Sequence, residues 1–155
     1  MQFVFIIQSS DQIYADLVKS LATIDPKLKC LRFKSTADIS DWIKKVLSKS
    51  FSEEEIELYF GEEQPDEIII RLFILDVESI GKMTPSTFEK MQGLLVQTRL
   101  TDEENPVGFL LTGTHPIDVN LRKYIHPCVR NVVVTPFDKM TLSAFLKAAL
   151  DGNQP

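Results

Sequence analysis

The feature that most constrains the fold is the run Leu72-Phe73-Ile74-Leu75, closed by Asp76. An unbroken apolar stretch of this kind suits a parallel strand covered on both faces. Side chains just past the carboxyl ends of such strands line the crevice where open α/β sheets place their chemistry. A carboxylate there is a candidate nucleophile or metal ligand. The question is then whether the residues that should assist it are present.

Strand-type and helix-type segments alternate along the whole chain. Phe3–Ile7 reads as a first strand, followed by a helix to about Thr23, capped by Asp11 and broken by Asp25-Pro26. Lys29–Phe33 alternates apolar and polar residues, as an edge strand with one wet face does. Ile39, Trp42, Ile43, Val46 and Leu47 repeat at helical spacing, and Trp42 is expected in the core. Ile68–Leu75 is the third strand, Thr84-Pro85 starts a helix running to about Thr98, and Val107–Leu111 is the fourth strand. A short helix over Asp118–Tyr124, a fifth strand over Asn131–Val134 and a last helix over Lys139–Leu150 complete the series. Five β–α units in order imply a doubly wound, five-stranded parallel sheet with helices on both faces.

One stretch departs from this rhythm. Ser52-Glu53-Glu54-Glu55 matches a capping box, Ile56, Tyr59 and Phe60 share a helical face, and Gly61 is placed to end the turn. Phe51–Glu67 therefore reads as an insertion carrying a short amphipathic helix and an acidic loop. It is expected either to fold its apolar side onto the body or to dock a partner. Residues 1–150 make a single domain, and 151–155 a tail or the start of a linker.

Composition narrows the function classes. Of 155 residues, 44% are hydrophobic and 25% charged, which suits a globular domain able to bury a core. The net charge of -5 and the lack of a Lys/Arg cluster argue against nucleic acid as a direct partner. No apolar stretch is long enough to span a bilayer, and the start lacks the basic region and cleavage site of a signal peptide. Cys30 and Cys128 have no metal or redox spacing and read as reduced thiols of a cytoplasmic protein. His115 and His126 each precede a proline and read as loop residues.

In the expected sheet, Gln8-Ser9-Ser10-Asp11, Thr112-Gly113-Thr114 and Thr135-Pro136-Phe137 converge with Asp76 on one rim. With these residues in this order the chain resembles the receiver domain of bacterial response regulators, over nearly its whole length apart from the insertion. The resemblance implies a flavodoxin-like fold with Asp76 at the phosphoacceptor position, ending strand three. It puts Thr112 at the hydroxyl switch position and Val132 at the aromatic one. Pro136-Phe137 keeps the end of a Lys-Pro-Phe motif, but Thr135 stands where the lysine belongs. Gln8 and Ser9 fall where two acidic residues hold Mg²⁺, and Glu78 falls where a backbone carbonyl is the usual ligand.

The consequences of these departures are physical. Forming an acyl phosphate brings a dianionic group against a carboxylate, and a bound Mg²⁺ offsets the repulsion. Mg²⁺ takes oxygen ligands, usually including one or two carboxylates. Gln8 and Ser9 offer neutral oxygens, Thr135 has no charge to pair with a phosphoryl group, and Val132 has no ring to rotate. The expected protein is a degenerate pseudo-receiver: a two-component-type signalling module without enzymatic activity or cofactor, acting through protein–protein contacts. The resemblance places its docking face on Asp118–Tyr124, Asn131–Val134 and Lys139–Leu150, for a signalling partner, an output domain or a second copy. Two alternatives stay open. One is a phosphorylatable receiver using Asp76 with Glu78 and Asp11 as substitute Mg²⁺ ligands. The other is a flavodoxin-like cofactor binder, disfavoured because the loop after strand one has no glycine and carries Asp11.

Overall fold

In a computed structural model of the chain, residues 1–61, 68–80, 107–113, 129–134 and 137–151 are described, with isolated helical positions at 86, 89, 90 and 93; the side chains of 80 and 129–132 are not. The strands β1 (Gln2–Ile7), β2 (Lys29–Phe33), β3 (Ile69–Asp76), β4 (Gly108–Gly113) and β5 (Val129–Val134) form one parallel sheet in the order β2-β1-β3-β4-β5. The helices are α1 (Asp11–Ile24), α2 (Thr36–Ser48), α3 (Glu53–Phe60), the single turn α4 (Val77–Ile80) and α5 (Lys139–Leu150). The sheet order reverses between β1 and β3, the position where such folds open a crevice. The expected helix over Asp118–Tyr124 lies outside the described residues, as do Thr84-Pro85, Thr135 and Pro136.

The two-residue period of the strands splits the core in two. Phe3, Phe5, Ile7, Phe73, Leu75, Phe109 and Leu111 face one side, where Ile39, Trp42 and Ile43 of α2 and Phe60 of α3 cover them. Val4, Ile6, Leu72, Ile74 and Leu110 face the other, under Leu17 and Leu21 of α1 and Leu142, Leu146 and Ala149 of α5. The central strands are buried on both faces, which is why Leu72–Leu75 reads as a continuous apolar run. Arg71 holds the lower end of the sheet, donating from Nη1 to Gln2 Oε1 at 2.7 Å and from Nη2 to the Leu150 carbonyl at 3.2 Å.

Helix ends follow the sequence with one correction. Ser10, not Asp11, caps α1: its hydroxyl accepts from the Ile13 N–H, and Asp11 is the first helical residue. The capping box of α3 forms in full between Ser52 and Glu55. Ile56, Tyr59 and Phe60 pack onto the body, and Lys45 of α2 binds Glu55 at 3.0 Å. The insertion's helix thus folds its apolar side inward. Asp138 caps α5 through the N–H groups of Met140 and Thr141, a cap the sequence reading missed.

Lys49 ends α2 in the left-handed region, at φ 52° and ψ 40°. A Cβ there costs about 1–2 kcal/mol, more than the roughly 0.4–1 kcal/mol of unfolded-chain entropy that glycine adds. Lys49→Gly is therefore expected to stabilise the fold by up to about 1 kcal/mol. A urea midpoint that stays level or falls contradicts this.

Candidate functional site

Gln8, Asp76 and Thr112 come together because the pleat puts them there. Ile6, Ile74 and Leu110 belong to the core on the α1/α5 side, and one strand period further up are Gln8, Asp76 and Thr112. Asp76 and Thr112 are register partners of β3 and β4. All three are buried, with Thr112 at 0%, Gln8 at 4% and Asp76 at 6% exposure. Asp76 is the last residue of its strand and not a solvated loop carboxylate.

A buried carboxylate needs donors, and Asp76 has them from neutral groups. Thr112 Oγ1 donates to Oδ1 at 3.2 Å. Ser79 donates to Oδ2 twice, from its hydroxyl at 2.7 Å and its N–H at 3.2 Å. The spacing Asp-x-x-Ser is that of a cap and the third residue of the turn it starts, and Asp76 holds α4 in this manner. Ser9 Oγ lies 3.2 Å from Ser79 Oγ and extends the chain of hydroxyls. On the other side Gln8 Nε2 reaches Thr112 Oγ1 at 3.4 Å, while Gln8 Oε1 accepts from the Ser10 N–H at 3.0 Å. Thr112 therefore joins two side chains across the sheet.

The charged groups lie to one side of this network. Arg32, at the end of β2, donates from Nε to the Gln8 carbonyl at 2.9 Å and from Nη1 to Asp11 Oδ1 at 2.7 Å. Its guanidinium also sits 4.7 Å from the Tyr14 ring centre. Burial raises the Tyr14 hydroxyl above its ordinary pKa, with a smaller rise from Cys30 and an opposing pull from Arg32. Burial also pushes the Cys30 thiol up to about 11, which keeps it protonated and unreactive near neutrality. Glu78 is exposed on α4. The sequence reading missed both Arg32 and Ser79. The Asp76-x-x-Ser79 spacing was the available signal for the second, and nothing local marked the first.

The resemblance implies a magnesium site here, and the described side chains do not bring together the carboxylates that such a site uses. Both oxygens of Asp76 accept from protein hydroxyls and an N–H, Asp11 is turned to Arg32, and Gln8 and Ser9 are neutral. Among the described residues no three His, Cys, Asp or Glu side chains gather where they can hold a metal ion. Val132 lies on β5; its side chain, like Thr135 and Pro136, is outside the described residues. No helix among the described residues is long and apolar enough to cross a membrane.

No protein-family model matches the chain, and no curated protein matches its sequence. Solved structures do match its shape. A pilus assembly-related protein of Burkholderia pseudomallei is 14% identical, with a TM-score of 0.61 over 100% of this chain and 93% of that one. The signal receiver domain of the response regulator NarL of Mycobacterium tuberculosis is 12% identical, with a TM-score of 0.57 over 97% of each chain. A response regulator receiver domain protein of Clostridium thermocellum is 10% identical, with a TM-score of 0.56 over 98% of this chain and 96% of that one. Taken with the strand order and the buried aspartate ending β3, these likenesses give the chain the flavodoxin-like fold of response-regulator receiver domains.

Proposed function

We propose that the protein is a pseudo-receiver: a signalling module that works through protein–protein contacts, without magnesium-dependent phosphorylation of Asp76. The observation that carries this reading is the state of the Asp76 carboxylate. Its oxygens are held by Thr112 and Ser79, and the Arg32 guanidinium is turned to Asp11 and the Gln8 carbonyl. A phosphoryl dianion arriving at Asp76 meets hydroxyls instead of a divalent ion, and must first break bonds that satisfy a buried group. The chain itself has no enzymatic role in this reading and takes no cofactor.

The docking face proposed for a partner, an output domain or a second copy comprises α5, β5 and the segment Asp118–Tyr124. On its described part Met140 is 84% exposed and Val134 39%, apolar surface suited to a contact. That one similar structure is a pilus assembly-related protein agrees with a receiver-shaped domain serving an assembly.

The reading predicts no phosphoryl adduct on the intact protein after incubation with acetyl phosphate and Mg²⁺, under conditions that label a functional receiver. An adduct abolished by Asp76→Asn would contradict it.

A further inference from the structure

At one edge of the sheet β2 pairs with β1 and, among the described residues, with no strand on its other side. Such an edge is a template for a further strand, and proteins commonly guard it with a proline, a bulge or a free lysine. β2 reads Lys29-Cys30-Leu31-Arg32-Phe33, without proline, and runs against β1 in unbroken register. Its one lysine is turned to the Tyr59 carbonyl at 3.1 Å. A groove of about 870 Å³ is lined by Cys30, Leu31, Arg32, Phe33 and Lys34, together with residues of α2 and α3. Successive strand residues point to opposite faces, so a groove touching all five runs along the edge of the strand and not over one face.

The charges beside this edge say what fits it. After the connection Lys34-Ser35, α2 returns along β2. Trp42 stands at the level of Leu31, because its ring lies 5.1 Å from that of Phe5, the register partner of Leu31. On the groove side of α2, Asp38 and Asp41 precede Trp42, and Lys44 and Lys45 follow it. Lys45 is engaged by Glu55, whereas Asp38, Asp41 and Lys44 are exposed and form no ion pair among the described residues. The helix is therefore acidic on one side of the Leu31 level and basic on the other.

A twofold axis through Leu31, perpendicular to the sheet, pairs two copies of β2 antiparallel. The same axis sets the two α2 helices antiparallel on one side of the joined sheet, roughly 10–15 Å apart. Leu31 then meets Leu31 of the second copy, and Asp41 stands opposite Lys44 of the second copy, with the reverse pair repeated across the axis. Arg32 keeps its bonds to Asp11 and the Gln8 carbonyl. A partner segment of a single charge sign matches only half of this pattern, whereas a second copy matches all of it.

We propose that the chain forms a twofold dimer through the outer edge of β2, joining two sheets into one. β5 lies at the opposite edge, so the docking face that includes it stays open in the dimer. The inference rests on the β2 edge and α2, and is independent of the pseudo-receiver reading.

Sedimentation velocity of the full chain is expected to show a monomer–dimer equilibrium with a dissociation constant of about 100 µM or tighter. Asp41→Lys and Lys44→Glu are each expected to weaken it about fivefold or more, with the fold intact by circular dichroism, and the double exchange to restore it. Directly opposed strand residues are close enough for a disulfide, so Leu31→Cys, in a chain whose own two cysteines are replaced by serine, should give a linked dimer under mild oxidation. Leu47→Cys, exposed on α2 but remote from the axis, should not. Met140→Glu should leave the dimer unchanged, which separates it from association through α5. A monomer at all concentrations up to about 1 mM overturns the proposal. So does a dimer that both charge variants leave at wild-type affinity, that Leu31→Cys does not link, or that Met140→Glu abolishes.

Discussion

Phe5→Ala is expected to cost about 3–5 kcal/mol, a large share of the roughly 5–15 kcal/mol that holds a domain of this size together. Phe5 is fully buried in the middle of β1. Its ring meets Phe33 at 4.9 Å, Trp42 at 5.1 Å and Phe73 at 5.6 Å between centroids, each near edge-to-face. Truncation removes the transfer free energy of the ring and leaves a cavity bounded by the sheet on one side and α2 on the other. Neither wall can collapse into it, because β1 is paired on both edges. Urea unfolding should show the midpoint falling sharply. Leu58→Ala, at a position 73% exposed, should stay within about 0.5 kcal/mol of wild type. A Phe5→Ala loss below about 1 kcal/mol would mean that this aromatic cluster does not organise the core.

Thr112→Val keeps the shape of the side chain and removes its hydroxyl. The Asp76 carboxylate then lacks its donor on Oδ1, and Gln8 Nε2 loses its acceptor, both in buried positions. The expected loss is about 1–3 kcal/mol, toward the upper end because one partner is a carboxylate. Thr112→Ser should recover most of it. Combining Thr112→Val with Asp76→Asn should give a loss smaller than the sum, with a coupling of about 0.5–3 kcal/mol, since the group left short of a donor no longer carries charge. Additive losses would show that the two side chains do not share a bond in solution.

Much of the architecture was legible because it rests on period and burial. The apolar runs marked the strands, the helical repeats of Leu17–Leu21 and Ile39–Ile43 marked the covering faces, and the Ser52/Glu55 box marked α3. The position of Asp76 at the end of β3 was likewise readable. Its surroundings were less so. Asp11 looked like the cap of α1 because Asp and Ser cap about equally well, and the choice of Ser10 frees Asp11 for Arg32, a partner 21 residues away. That pairing depends on β2 lying beside β1, which local sequence does not encode. Ser79 was passed over because its role appears only when Asp76 is seen to start a turn. In each case a tertiary contact chose between side chains that local propensity leaves nearly equal.

The central claim is that neutral hydroxyls, not a divalent ion, hold the Asp76 carboxylate. It is tested most directly by adding Mg²⁺ and beryllofluoride to isotope-labelled protein and following the amide signals of Asp76, Ser79 and Thr112. The account predicts that these signals stay in place at concentrations that saturate a functional receiver. Saturable shifts at all three, abolished by Asp76→Asn, would contradict it.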